Sequence, residues 1–396
     1  MFLRKFIMTA LQNTIRKLQL NNKLVVLRTC GSEYQKALLR ELTAEYNLVD
    51  CSLPGVRLQA EQNPGLFVQG LPLPAYLANV QHVSFLLPYL LEENFPVARL
   101  IAGCAQSAAL QEELPDNAFG RIVWLDLPLA NGGADSLPFV PGEKYLQRIG
   151  QRQPRQDMLA AIMRGNLFAV DGKEAMAAYV RRILQQSIME LTPARDELKF
   201  FRFLCAAAGM AGGVVNYAVL SDSVGISSPT AKQWLKLLAG AGVIYLLPSI
   251  EQLAGKRLVK APKLYFRDTG VATHLLQLRD AGALVSSLYF KGLYENYVLN
   301  LLRESYLQQG IMPDMKFYRD SNRKEVSVIL RLDRVIYPML ICHGPFNVRK
   351  VGKLFAALQP YAQECGCGQG VGCVLTLGGE CRELVEGIWQ VNTEQL

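Results

Sequence analysis

The chain has 396 residues, 50% of them hydrophobic and 19% charged, with a formal net charge of +8 at pH 7. That length exceeds one ordinary core and predicts roughly two to four domains, and the composition excludes a disordered chain. Nine cysteines without regular spacing exclude a secreted disulfide framework and fit free thiols in a reducing compartment.

Near the N-terminus Phe2, Ile7, Leu11, Ile15 and Leu18 recur at helical spacing, which predicts an amphipathic helix over residues 1–20. The stretch lacks the apolar run of a signal peptide, and no stretch of the chain is long and apolar enough to span a bilayer. These features predict a cytoplasmic protein with no membrane partner.

Lys23–Arg28 is a short apolar run suited to a buried parallel strand. Thr29–Lys36 is a polar turn, and Ala37–Tyr46 reads as a helix. Strand, small-residue loop and helix form the setting of a phosphate loop. Its chemistry needs glycines so that backbone N–H groups approach phosphate, a lysine to neutralise it, and a hydroxyl to hold the metal. Here one glycine is present, Glu33 opposes an anion, and Ala37 cannot bind magnesium. Gly31, Ser32 and Lys36 remain as candidate nucleotide-binding residues. The next apolar run, Pro74–Val80, ends in Ala78-Asn79-Val80-Gln81, without a carboxylate for a metal or an attacking water.

Ser84–Asn94 reads as an amphipathic helix, and Arg99–Gly103 and Phe119–Leu127 as strands. Asn131–Glu143, rich in glycine and proline, is a boundary loop. Lys144–Leu191 is mostly helical, interrupted at Arg164–Gly172.

From Phe200 to Phe266 the pattern is helix, helix, turn, helix and two strands, the layout of a winged helix-turn-helix. Phe200–Ala208 and Tyr217–Val224 are the first two helices. Ser228 is the expected N-cap of the third, with Pro229 at its first position. Ala231, Trp234, Leu235 and Leu238 share its buried face. Thr230, Lys232, Gln233 and Lys236 lie mostly elsewhere and are the candidate DNA-binding residues. Val243–Leu247 and Leu258–Phe266 read as the strands. Between Lys199 and Arg267 nine basic residues (199, 202, 232, 236, 256, 257, 260, 263, 267) face two acids, Asp222 and Glu251, so the segment carries +7. That surplus fits phosphate contacts and equally fits lysines on solvated faces.

Beyond it, Asp268 is placed to cap a helix running to Leu278. Gly292–Tyr306 is a strong amphipathic helix. Met315–Arg319, Glu325–Leu332, Tyr337–Cys342, Cys373–Leu377 and Ile388–Val391 are strand-like around a helix at Gly352–Ala362. Cys365, Cys367, Cys373 and Cys381 are close in sequence but lack the paired spacing of a structural zinc site. Cys342 and His343, adjacent on a strand, point to opposite faces and are poorly placed to share a proton. His82, His274 and Arg121 read as structural.

The order of these pieces resembles the prokaryotic family of predicted AAA-type P-loop ATPases with a C-terminal winged helix and a restriction-endonuclease-like domain. The resemblance is carried by Phe119-Gly120-Arg121, Phe200–Leu247, the run from Gly255 to Gly270, and Gly292-Leu293-Tyr294-Glu295-Asn296. It implies an α/β fold in four parts: a P-loop NTPase-like parallel sheet domain with an N-terminal helix (1–135), a helical lid (136–195), a winged helix-turn-helix (196–267) and a restriction-endonuclease-like domain (268–396). Laid on the family's glycine-x-x-x-x-glycine-lysine-threonine loop, this chain has Thr29, Tyr34, Gln35 and Lys36 at the four fixed positions. The family's Asp-Glu pair falls on Ala78 and Asn79, with Gln81 after it. Its threonine-glycine-serine run is Ala102-Gly103-Cys104, and its glutamate-arginine-aspartate run is Gln185-Gln186-Ser187. Of its nuclease-like set Glu295 is present, whereas Ser327, Leu340 and Cys342 stand at the other three positions.

Both centres therefore lack the charged groups that hold a divalent metal. The sequence implies a pseudo-enzyme with no catalytic residues and no required cofactor or metal. It would act as a scaffold for a protein partner or for self-association. The alternatives are a winged-helix protein that binds DNA without catalysis, and ATP binding without hydrolysis through Gly31, Ser32 and Lys36.

Overall fold

The computed structural model describes residues 2–107, 110, 114, 118, 120–129, 138–154, 157–165, 172–191, 197–253 and 255–396. Phe119, residues 131–137 of the expected boundary loop, residues 166–171 of the expected helix interruption and the side chains of Gln186 and Ser187 lie outside the described residues. The chain divides into two units. One comprises Met1–Leu137, Lys232–Val243 and Glu304–Met312, and the other Pro138–Ala231, Ile244–Arg303 and Pro313–Leu396.

The first unit is built on a five-stranded parallel sheet in the order β2-β3-β4-β1-β5. Its strands are β1 Leu24–Arg28, β2 Asn47–Asp50, β3 Ala75–Ala78, β4 Leu100–Cys104 and β5 Ile122–Asp126. Leu24 to Leu27 are all fully buried, as a continuous apolar run in a central strand requires. Alternate residues serve two cores. Val25 and Leu27 pack with Ile7, Leu11 and Ile15 of α1 (Phe2–Leu20) and Leu38 of α2 (Glu33–Leu42). Leu24 and Val26 face Leu77, Val80, Leu86 and Leu90. The helices α3 (Pro54–Gln62) and α4 (Pro64–Gln69) follow β2.

The helix expected over Ser84–Asn94 is instead a 3-10 segment, Val80–Leu86, and one α turn, α5 (Leu87–Leu90). Pro88 is the cause, because a proline inside a helix lacks an N–H and its ring clashes with the carbonyl four residues back, here that of Ser84.

The second unit opens with α6 (Glu143–Gly150), α7 (Met158–Arg164) and α8 (Gly172–Leu191). Next in the chain come α9 (Glu197–Ala208), α10 (Tyr217–Val224) and α11 (Ser228–Gly240), which belongs to the first unit from Lys232 onward, then the second unit's antiparallel pair β6 (Ile244–Leu247) and β7 (Lys263–Phe266). Asn216 caps α10, and Gly225, at φ 70°, ends it in the left-handed region that suits glycine. The cap of α11 is Ser227 rather than the expected Ser228, since Ser227 Oγ accepts from the Thr230 N–H. β7 is shorter than the expected Leu258–Phe266 because Pro262 has no N–H to give a ladder.

The helices α12 (Thr269–Leu275), α13 (Ala281–Ser286) and α14 (Phe290–Leu307) lead into a mixed sheet. Its order is β13-β14-β12-β10-β9-β8, with β11 beside β10. The strands are β8 Asp314–Arg319, β9 Glu325–Leu332, β10 Val335–Cys342, β11 Gly368–Gln369, β12 Gly372–Thr376, β13 Arg382–Val385 and β14 Ile388–Asn392. The helix α15 (Val348–Ala356) buries Val351 and Phe355 in its core, and α16 (Gln359–Glu364) adds Tyr361 and Ala362. As expected, Asp268 caps α12, its Oδ1 accepting from the Gly270 and Val271 N–H groups. A Cβ on Gly270 would lie 2.3 Å from the Arg164 carbonyl oxygen, so α7 and α12 meet there only through glycine.

Among the described residues no helix is long and apolar enough to cross a membrane.

Candidate functional site

In a parallel sheet, ligands bind outside the carboxyl ends of the strands where the strand order reverses. In the first unit that point is the end of β1, which lies between β4 and β5. Ser32 caps α2 there, and its Oγ accepts from the Gln35 N–H at 3.2 Å. Gly31 takes φ 75° to turn the chain.

The loop interior is filled by its own side chain. Gln35 is fully buried, and its Oε1 accepts from the Cys30 N–H at 2.8 Å and from the Cys30 thiol at 3.2 Å. Its Nε2 donates to the Leu127 carbonyl at 2.7 Å. Gln35 stands where the family's lysine would be, and its amide oxygen takes a backbone N–H that a phosphate loop would give to phosphate. Ser32 is buried and committed to the cap, while Lys36 is exposed. Gly31, Ser32 and Lys36 therefore adjoin one another without forming a cradle. The residues present do not fit a triphosphate with its metal.

The neighbouring strand ends bring Asp50, Tyr76 and Asp126, which sequence reasoning passed over, beside residues it had singled out. Asn79, in the left-handed region at φ 57°, donates to Asp50 Oδ1 at 3.0 Å. Asp50 also accepts from the Ser52 N–H and hydroxyl. Burial alone would raise the Asp50 pKa, and these hydrogen bonds together with nearby His82 hold it below the ordinary value. At the end of β5 the buried Asp126 pairs with Arg28 at 2.5 Å. Gly103 is closed from above by Tyr76, whose hydroxyl would lie 2.1 Å from a Cβ there. The Arg121 guanidinium donates to the Leu91 carbonyl, the structural role expected of it.

In the second unit Glu295 is 4% exposed on α14 and already neutralised. The Lys263 ammonium on β7, 1% exposed, is 2.6 Å from Glu295 Oε1 and also bonds Glu325 Oε1 on β9. Tyr265 donates its phenol to the same Glu295 oxygen at 2.7 Å. Burial, the largest single influence on Lys263, favours the neutral amine. The two carboxylates together outweigh it and hold the Lys263 pKa above the ordinary value. Burial and the Glu295 charge push the Tyr265 pKa well up, so the phenol stays protonated and donating.

Of the other positions, Ser327 is buried and accepts from the Ile341 N–H, and the Cys342 thiol donates to the Gly344 carbonyl. The ring of His343 meets Phe290 edge-on. Beside Glu295, Asn296 clamps the end of β7, accepting from the Phe266 N–H at 2.8 Å and donating to its carbonyl at 2.7 Å.

On α11, Lys232, Gln233 and Lys236 are exposed and Thr230 is half-buried. Ala231, Leu235 and Leu238 are fully buried as expected, with Trp234 half-buried. The basic surplus of the segment is smaller at the surface than in the sequence, because Lys263 and Arg267 are buried. Cys373 is fully buried within β12 and the Cys381 thiol donates to the Leu146 carbonyl. Among the described residues no group of three or more His, Cys, Asp and Glu is arranged to hold a metal.

Compared with known proteins, residues 168–282 match a family described as "Domain of unknown function (DUF8612)". That stretch includes Lys263 and Tyr265 and ends before Glu295. Uncharacterized protein Rv2008c of Mycobacterium tuberculosis and uncharacterized protein Mb2031c of Mycobacterium bovis are each 29% identical over 147 residues, 35% of this chain and 33% of the relative. The similarity thus spans about a third of these relatives' length. No solved structure matches this chain.

Proposed function

We propose that this chain is a catalytically inactive relative of the AAA-type P-loop ATPases and works as a protein-binding scaffold. The observation that carries the reading is the buried Gln35 carboxamide, which occupies the Cys30 N–H and the Leu127 carbonyl at the mouth of β1. The parallel sheet, with a loop and a helix N-terminus at the end of β1, supports descent from a nucleotide-binding fold. The order α9, α10, α11, β6, β7 supports a winged-helix reading of the segment after the helical lid, and the mixed sheet supports the endonuclease-like reading of the C-terminal part. A scaffold needs apolar surface. The exposed Leu66 joins Val49, Val56, Phe67 and Leu71 in lining a groove of about 470 Å³.

The test is magnesium-dependent ATP turnover by the purified full chain. A scaffold shows none above buffer. Turnover that Lys36→Ala abolishes ends the proposal.

A second reading is DNA binding without catalysis, favoured by the exposed Lys232, Gln233 and Lys236 on one helix. It requires a salt-dependent affinity for duplex DNA that falls when Lys232 and Lys236 become Glu.

A further inference from the structure

The second unit buries a charge cluster that the scaffold reading does not use. Glu295 comes from α14 and Glu325 from the start of β9, and one carboxylate oxygen of each meets at one point, with the Tyr265 phenol of β7 donating to the same Glu295 oxygen. Arg319 holds the other oxygen of Glu325 at 3.1 Å, and the Phe317 ring faces the same point at 5.6 Å. Two carboxylate oxygens are hard donors, the kind that take a small divalent cation with water completing its shell. What stands at the point of convergence is the Lys263 ammonium.

We propose that Lys263 is the resident cation of this site, a tethered ammonium bridging Glu295 and Glu325 where a divalent ion would otherwise bind. The lysine arrives along β7 with its chain buried, so the charge is delivered from inside the fold and needs no exchange with solvent. Its N–H groups meet both carboxylates, and Tyr265 donates a second hydrogen bond to Glu295. Without the ammonium, two negative charges would stand together, Glu295 buried and Glu325 23% exposed with Arg319 on its far oxygen, a surplus that favours uptake of a cation from solution. The inference rests on the non-catalytic reading in one respect: the wild-type chain takes up no divalent ion here.

The test uses Mn2+ and the full chain, with unbound Mn2+ followed by its electron paramagnetic resonance signal. Lys263→Met, of similar length and no charge, is expected to remove about one Mn2+ per chain and to gain thermal stability when Mn2+ is added. Wild type and the double variant Lys263→Met/Glu325→Gln are expected to do neither. Recovery of folded Lys263→Met only when Mn2+ is present during refolding also supports the proposal. A folded Lys263→Met that leaves the signal unchanged overturns it, as does a variant that stays unfolded with and without Mn2+. Neither result touches the scaffold reading. Mn2+ uptake by wild type that Glu295→Gln abolishes contradicts both.

Discussion

The mouth of β1 and the inner face of β7 are both filled from within, by opposite chemistry. At β1 a neutral carboxamide supplies one acceptor and one donor to backbone groups. At β7 an ammonium bridges two carboxylates, the outer of which also pairs with Arg319. The difference lies in what removal leaves behind. An orphaned buried backbone group costs about 1–3 kcal/mol, whereas a buried charge stripped of its partner costs about 3–5 kcal/mol. The first filling therefore shapes a loop, and the second fastens β7, α14 and the mixed sheet together.

The largest expected effect is that of Lys263→Ala, which should lower the unfolding free energy by about 3–5 kcal/mol in a denaturant titration. A loss under about 1 kcal/mol would break the contrast. The same pair sets a pH dependence. Because the folded pKa of Lys263 is raised, its contribution is complete below the unfolded value of about 10.4 and is lost as pH climbs through the folded value. Melting curves of wild type should show this part of the stability unchanged from neutral pH to about 10 and falling beyond it, a fall that Lys263→Met lacks.

Asn296→Ala separates charge from location, since it removes a neutral clamp beside the same carboxylate. It should cost about 1–3 kcal/mol, because the Phe266 N–H is orphaned while its carbonyl still accepts from Asn300. Gln35→Ala should fall in the same range of about 1–3 kcal/mol, with faster hydrogen exchange confined to the Cys30 and Leu127 region. The smallest effect belongs to Lys232→Glu/Lys236→Glu, which should leave stability within about 0.5 kcal/mol of wild type. If α11 contacts DNA, the pair should also flatten the salt dependence of binding by about 0.9 log units per lost phosphate contact.

The elements most legible in the sequence are those whose signal is local. Four consecutive apolar residues, Leu24 to Leu27, mark a strand buried on both faces. Asp268 before Thr269-Gly270 announces a cap, and the periodic Ala231, Leu235 and Leu238 mark one helix face. The fillings were not legible, because their partners are remote. Nothing about a glutamine in the first turn of α2 says that its amide reaches the Leu127 carbonyl. Lys263 looked like part of a basic surface run, yet its partners lie 32 and 62 residues further along. One local hint existed: a lysine alternating with Leu264 and Phe266 in an otherwise apolar strand, on the same face as Tyr265, needs a buried counter-charge.

The most direct measurement is the melting temperature of the wild-type chain across a titration of Mg2+ and ATP. With Gln35 occupying the loop, the melting temperature should stay unchanged into the millimolar range, because a ligand that does not bind the native state adds no stability. A saturable rise that Lys36→Ala removes would show that triphosphate displaces the amide, and would contradict the claim that Gln35 closes the loop at the end of β1.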